Sequence, residues 1–318
     1  MQTYHIPVMT KEVIHYLDCK PGKIYADCTL GGSGHAMAIC EKIKPDGLLI
    51  GIDQDKDAIE NAKNVLKPHL SNIRLFHGNF VHLSDFLSES GISKVDGILL
   101  DLGLSLHQID SSGRGFSFRR EEPLDMRMDT ESDTTAEDLV NELDETSLEK
   151  LFKDYGEERW ARNIARNVAK ARKTARIGTS AHLSEIVCSS IPRKAQSKQK
   201  IHPATRVFMA LRIAVNRELE MLSLFMENVS ELLNPEGRLC VLTFHSLEDR
   251  IVKRKIKEME KECVCPPGFP KCVCNKTRLF RILNKKALRP GTEEIIANPM
   301  ARSTKLRAAE RRSRIISN

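Results

Sequence analysis

The sequence predicts an α/β protein, one largely parallel sheet interrupted by a helical insertion. Three observations carry this. Short apolar runs alternate with helix-like stretches up to Leu102, the strand–helix–strand rhythm of a parallel sheet. Two of the runs, Leu48–Ile52 and Ile98–Leu100, are apolar almost without alternation, as strands covered on both faces are. The rhythm then stops, and a strand of the same kind returns only at Leu239-Cys240-Val241-Leu242-Thr243-Phe244.

Taken in order, Ile24-Tyr25-Ala26 reads as the first strand, and Ala36–Ile43 as the helix that follows it. Leu48–Ile52 is the second strand and Asp57–Leu66 the next helix; Ile73–Phe76 and Val95–Leu100 are the third and fourth strands. Residues 105–135, rich in Gly, Ser, Arg and Asp, predict an irregular loop. Residues 136–190 read as helices, with an apolar stripe from Leu139, Leu143, Leu148, Leu151 and Phe152. The helix after that stripe carries Arg159, Arg162, Arg166 and Lys170 at spacings of three or four, which places them on one face. Arg212–Leu233 is expected as one long amphipathic helix, stopped by Asn234-Pro235-Glu236-Gly237. The expected organisation is a first core segment over residues 1–105, an insertion over 106–212 that would recognise substrate, and a second core segment over 213–318 ending in a basic stretch.

With 318 residues, 41% of them hydrophobic, the chain can bury a real core, which excludes global disorder. Its net charge of +7 is unevenly spread. Residues 157–217 hold 14 basic against 3 acidic side chains, and residues 250–318 hold 19 against 6, whereas residues 1–156 are acidic, with 27 carboxylates against 16 basic groups. A uniformly basic nucleic-acid coat is excluded, and so is a uniformly neutral metabolic enzyme. Segmental basicity of this kind points to a polyanion met by particular surfaces. No apolar run approaches the roughly 20 residues of a membrane helix. The start, Met1–Pro7, lacks the basic and apolar regions of a secretory signal. Five of the nine cysteines (Cys19, Cys28, Cys40, Cys188, Cys240) are scattered singly, as expected of reduced thiols in a cytoplasm.

The stretch Asp27-Cys28-Thr29-Leu30-Gly31-Gly32-Ser33-Gly34-His35 follows the first strand and precedes a helix, where glycines let backbone approach a ligand. Asp53 closes the next strand, and a carboxylate there can accept both hydroxyls of a ribose. A tight turn with an incidental aspartate is the plain reading; loop and spaced acid together favour nucleoside binding. Phe80 could stack on an adenine or simply fill the core. Asp101 ends the fourth strand, where open α/β sheets meet their ligands, though it could equally cap a helix. His245, Glu248 and Asp249 follow the last strand. His245 could act as a general base or as a turn histidine bonded to backbone. Cys263, Cys265, Cys272 and Cys274 form a C-x-C…C-x-C pair, suited either to a structural zinc or to reduced thiols. Lys305, Arg307, Arg311, Arg312 and Arg314 would grip a nucleic acid or form a solvated tail.

These parts together resemble a class I (Rossmann-like) S-adenosylmethionine-dependent methyltransferase. Longer strings tighten the resemblance: Arg114–Phe118, Pro123–Asp129, Tyr155–Arg159, His202–Arg206, Phe244–Arg250, Asn298-Pro299 and Ala301-Arg302-Ser303 are similar to the bacterial ribosomal RNA small-subunit methyltransferase H (MraW) family. The match runs from His5 to Arg311. It implies a methyltransferase sheet with an inserted helical domain, and N4-methylation of a cytidine in the decoding region of 16S rRNA. The cofactor it implies is S-adenosyl-L-methionine, held by Ser33, Gly34, His35, Asp53, Phe80, Asp101 and Gln108. The expected partner is the small ribosomal subunit, with no membrane; oligomeric state, a homodimer included, leaves no mark in the sequence. Leu106 stands where the family commonly has a second serine, and His107 where it often has proline.

The N4 lone pair of cytosine is delocalised into the ring, and a sulfonium donor is already activated. Placement, plus an acceptor for the amino protons, is therefore the expected work of the protein. Asp101 or Ser105 is the expected acceptor. Two other classes compete: an NAD-linked oxidoreductase, disfavoured because the loop is not G-x-G-x-x-G, and a silent ribosome-assembly factor, disfavoured by the intact loop with Asp53 and Asp101.

Overall fold

A computed structural model describes residues 7–266, 272–274 and 276–313. The segment Met1–Ile6 and Arg314, used above in reading the two ends of the chain, lie outside the described residues. The chain divides into two compact units. One comprises Met1–Gly103 with Leu219–Asn318, the other Leu104–Glu218.

The first unit is built on a seven-stranded sheet. Its strands are β1 Ile24–Asp27, β2 Leu48–Asp53, β3 Ile73–His77, β4 Val95–Asp101, β5 Leu233–Thr243, β6 Phe280–Ile282 and β7 Lys305–Arg311. The spatial order is β3-β2-β1-β4-β5-β7-β6. Strands β1 to β5 run parallel, while β7 is antiparallel to both of its neighbours. The order reverses between β1 and β4, which is where doubly wound sheets open a crevice for ligands. The sheet is thus the Rossmann-like one expected.

Near-continuous apolar strands follow from cover on both faces. Ile50, Ile52, Ile98, Leu100, Leu239 and Val241 pack with Phe225, Met226, Val252 and Ile256. The alternate residues Leu49, Leu99, Cys240 and Leu242 pack with Val13, Leu17, Ala36, Ile39 and Ile59. Each such aliphatic side chain stabilises the unit by about 1.5–3 kcal/mol. Helices Glu218–Leu232 and Ser246–Glu260 thus cover one face, and Thr10–Leu17, Gly34–Ile43 and Lys56–Val65 the other.

Three expectations change. The stretch Arg212–Leu233 is two helices, Thr205–Val215 and Glu218–Leu232; Arg217, at φ 49°, breaks them in a left-handed conformation. The Asn234–Gly237 turn lies inside β5 as an irregularity in register: Val95 pairs with Leu233, but Gly97 pairs with Arg238. The third change concerns the C-terminal basic residues. Lys305 and Arg307 sit in β7 and both contact Asp249, at 2.8 and 2.6 Å. Arg311 is 5% exposed and donates to the Ser230 and Arg312 carbonyls. Through Arg311 this segment is an internal strand, not a tail. Its charges mark buried partners, which composition cannot show.

The second unit is helical from Ala136 onward, around Leu148, Phe152, Ile164, Val168, Leu183, Val187, Phe208 and Leu211. Between Leu104 and Thr135 the chain is irregular apart from helix Leu106–Asp110. The motif strings hold that irregular stretch in place. Arg114 donates to the Arg127 and Met128 carbonyls at 3.0 Å, and Arg127 pairs with Asp125 at 2.7 Å. Gly115 has φ 70°, and a Cβ there would lie 2.2 Å from the Pro123 carbonyl oxygen, so only glycine fits. Phe118 stacks on His202, with ring centroids 4.4 Å apart.

Candidate active site

The site is assembled at the carboxyl ends of β1, β2 and β4. After Asp27 the chain leaves the sheet but stays tied to it. Cys28 N donates to Leu99 O and Leu30 N to Ile52 O, so the loop is anchored to both neighbouring strands. Gly31 (φ 44°) and Ser33 (φ 63°) then turn the chain into helix Gly34–Ile43. A left-handed serine costs about 1 kcal/mol, a strain of the kind that clusters at functional sites. Ser33 makes no side-chain cap on that helix, so its N-terminal N–H groups keep their affinity for an anion. Gly34 is required by contact: a Cβ would fall 2.6 Å from the Pro7 ring.

Asp53 organises this turn. Its carboxylate accepts the Gly31 N–H at 2.8 Å and the Asp55 N–H at 2.9 Å. Burial raises its pKa to about 6, against the pull of those two donors. One bond on each oxygen leaves further lone pairs for a ligand.

A buried charge cluster lies beside the loop. Asp27 is fully buried; one oxygen accepts from Thr29 N at 3.2 Å and the other has no hydrogen-bond partner. Burial pushes its carboxyl from 3.8 to about 7, with His35 pulling the other way. His35, 5% exposed, places Nε2 3.5 Å from Asp101 Oδ2, an ionic contact too long for a well-formed hydrogen bond. Burial lowers the His35 pKa, but the Asp101 and Asp27 carboxylates outweigh it and hold the imidazole above its ordinary value. Asp101 donates its backbone N–H to Thr29 Oγ1 at 2.6 Å, which fixes the end of β4 against the loop. Asp101 Oδ1 and Ser33 Oγ are also buried without hydrogen-bond partners.

Ser33, Gly34, His35, Asp53 and Asp101 are therefore brought together in the first unit. Phe80 is in the same unit but 8% exposed, with its ring edge-on to Phe225 at 5.4 Å. Its position serves the core, leaving little face for stacking. Ser105 and Gln108 belong to the second unit and form a capping box on helix Leu106–Asp110. Ser105 Oγ accepts from Gln108 N, and Gln108 Oε1 accepts from Ser105 N. His245 caps helix Ser246–Glu260: its Nδ1 accepts from Glu248 N at 3.5 Å. Its Nε2 lies 3.0 Å from Glu248 Oε1 without hydrogen-bond alignment. That is the turn-histidine arrangement.

Thr29 is the member that sequence reasoning passes over. Asp27, with Asp53 and Asp101, belongs to the acidic half of the sequence expected to face a nucleoside and a sulfonium cation, but nothing in sequence reports that its carboxyl, at the end of β1, is fully buried. Thr29 has no signal at all, because its role is a tertiary bond to a backbone 72 residues away.

Comparison with known proteins matches residues 2–312 to the model of the MraW methylase family. The chain is 55% identical over 311 residues to the ribosomal RNA small subunit methyltransferase H of Desulfosudis oleivorans, spanning 98% of this chain and all of that protein. It is 48% identical to the protein of the same name from Halothermothrix orenii over 96% of this chain and 98% of that one. It is 43% identical to that of Clostridioides difficile over 98% of this chain and all of the relative.

Proposed function

Because the chain belongs to the MraW methylase family, we propose that it transfers a methyl group from S-adenosylmethionine to N4 of a cytidine in the decoding region of 16S rRNA. The observation that carries the reading is the buried acidic cluster at the switch point: Asp27 and Asp101 each keep a buried carboxylate oxygen without a hydrogen-bond partner. His35 meets part of this charge, but a buried carboxylate oxygen without a partner is costly unless a donor or cation meets it. The relatives' name, ribosomal RNA small subunit methyltransferase H, supports the substrate class.

The residues present fit S-adenosylmethionine. The open N–H groups at the start of helix Gly34–Ile43, with Ser33 and His35, suit a carboxylate, and Asp27 suits an ammonium or sulfonium cation. Asp53, with spare lone pairs, suits ribose hydroxyls. Phe80 belongs to the apolar core of the same unit; Gln108, which the family resemblance adds to the cofactor set, belongs to the second unit. When bound, this cofactor supplies an electrophilic methyl group that needs no further activation.

The chain's own residues then have three tasks. The loop and β4 hold a reacting base in line, a positional contribution worth several kcal/mol in well-oriented systems. Asp101 Oδ1 accepts an amino hydrogen, restoring lone-pair character to the nitrogen. Ser105, whose oxygen already accepts from Gln108 N, is the second candidate acceptor. After transfer the amino proton leaves to water, so His245 is not needed as a base; its capping role agrees with this. The target base must be unpaired or flipped out to be reached. The exposed residues Arg159, Arg162, Arg166 and Lys170 supply phosphate contacts.

The test is methyl transfer from labelled donor to small ribosomal subunits and to bare 16S rRNA, followed by nucleoside analysis. The expected product is N4-methylcytidine. Label on any other nucleoside, or none with either substrate, would overturn the reading.

A further inference from the structure

Beyond the methyl-transfer site, four cysteines converge on the segment that joins helix Ser246–Glu260 to β6. Cys263 Sγ lies 3.5 Å from Cys272 Sγ and 3.7 Å from Cys274 Sγ. Cys272 Sγ lies 3.5 Å from Cys274 Sγ and 3.9 Å from Cys265 Sγ. All four sulfurs fall within 4.8 Å of one another. These separations describe one small polyhedron. A zinc–thiolate bond of about 2.3 Å gives a regular S4 tetrahedron edges of about 3.8 Å. Four of the six edges already fall at 3.5–3.9 Å.

Neither cross-linking nor packing brings these sulfurs together. Every cysteine here is free, so no disulfide gathers them. Hydrophobic burial does not gather them either: Cys263 and Cys272 are exposed, and Cys265 and Cys274 only partly buried. The intervening valines point outward, Val264 at 56% and Val273 at 66% exposure, so each C-x-C turns its sulfurs in and its apolar residue out. An iron–sulfur cluster would hold its cysteine sulfurs well beyond contact distance; these are spaced for a single ion. Sulfur also accepts from backbone, Cys263 Sγ from Cys265 N at 3.3 Å and Cys274 Sγ from Val264 N at 3.4 Å. Such bonds orient and stabilise thiolate ligands.

We propose that Cys263, Cys265, Cys272 and Cys274 bind one zinc ion as a structural tetrathiolate site. On binding, four S–Zn bonds form and the thiol protons leave to solvent. Contacts to the fold lie on either side of the four cysteines. Leu279 N donates to Met259 O at 2.8 Å, and Arg278 Nε to Glu260 O at 3.0 Å. With all four ligands supplied by cysteine the ion keeps no open position for a substrate or water, so its role is structural.

The test uses full-length protein, purified without chelator and desalted after exposure to zinc under reducing conditions, with metal content measured by mass spectrometry. About one zinc per chain is expected, against a several-fold lower content in a Cys263→Ser/Cys272→Ser double variant and an unchanged content in Cys188→Ser. Because the double variant could fold poorly, wild-type protein is also loaded with Co²⁺ alone. Intense visible ligand-field bands and thiolate charge-transfer absorption are expected, as four sulfurs around cobalt produce. Wild-type protein that retains little zinc after loading, or a cobalt spectrum of octahedral oxygen ligation, would overturn the proposal. Native loading with iron in place of zinc, seen as a coloured protein, would overturn its choice of metal.

Discussion

Asp27 is the residue whose placement has the clearest thermodynamic consequence. Its carboxyl titrates near 7 when folded, against 3.8 ordinarily, because burial disfavours the charged form. A group with a raised folded pKa binds its proton more tightly in the native state. Its contribution is fully present below about pH 4 and is lost as pH rises toward 7. His35, also raised, changes stability in the same direction. Asp27→Asn removes the titration. The stability of the variant relative to wild type should therefore grow between pH 4 and pH 8, by about 2–4 kcal/mol, read by denaturant melts across that range. A gap independent of pH would contradict the assignment. Asp101 makes a different prediction. Asp101→Asn should lower the rate of methyl transfer at saturating cofactor by about 100-fold, beyond any loss of cofactor affinity measured by calorimetry. A rate near wild type with unchanged affinity would remove Asp101 as the acceptor and leave Ser105.

Two elements carry basic charge in opposite ways. In helix Ala161–Ala171, the exposed Arg162 and Arg166 face away from the buried Ile164, Ala165 and Val168. That is a surface on which phosphates can be met, and neutralising both residues should weaken RNA binding and reduce the salt slope by about 2, since each phosphate contact contributes roughly 0.9. Cofactor affinity should not move. Unchanged RNA affinity would make this a merely solvated face. In β7 the basic residues face protein. Asp249 is 13% exposed and is held below its ordinary pKa, burial notwithstanding, by Arg307 and Lys305. Asp249→Ala would leave two cations without their anion against the sheet, and should cost on the order of 2–4 kcal/mol in a thermal or denaturant melt. Loss below about 0.5 kcal/mol would place the pair with ordinary surface salt bridges. Residues 159–170 and 305–311 read alike in sequence, as clustered Lys and Arg. Only strand pairing to β5 and the position of Asp249 separate them.

For the whole molecule, charge separates by task. Acidic groups gather where a cation is proposed to bind, and exposed basic groups lie elsewhere in the chain. Raising salt should therefore depress RNA binding steeply, with log Kd linear in log salt, while the cofactor Kd changes by no more than about two-fold. Equal salt sensitivity for both ligands would contradict that division. Much of the architecture follows from sequence alone, because burial on both faces leaves uninterrupted apolar runs: Leu48–Ile52 and Ile98–Leu100 announce β2 and β4, and the loop between Asp27 and His35 announces the site. The family, too, is legible, in long ordered strings. Short or charge-rich elements are not. β6 has three residues, and β7 carries Lys305, Arg307 and Arg311, so neither has a periodic signature that outweighs its polarity. The burial of the Asp27 carboxyl and the environment it shares with Asp101 are likewise tertiary facts. They depend on through-space distances between residues far apart in the chain. A one-dimensional pattern records local periodicity and residue chemistry, and those distances are set only when the sheet is assembled.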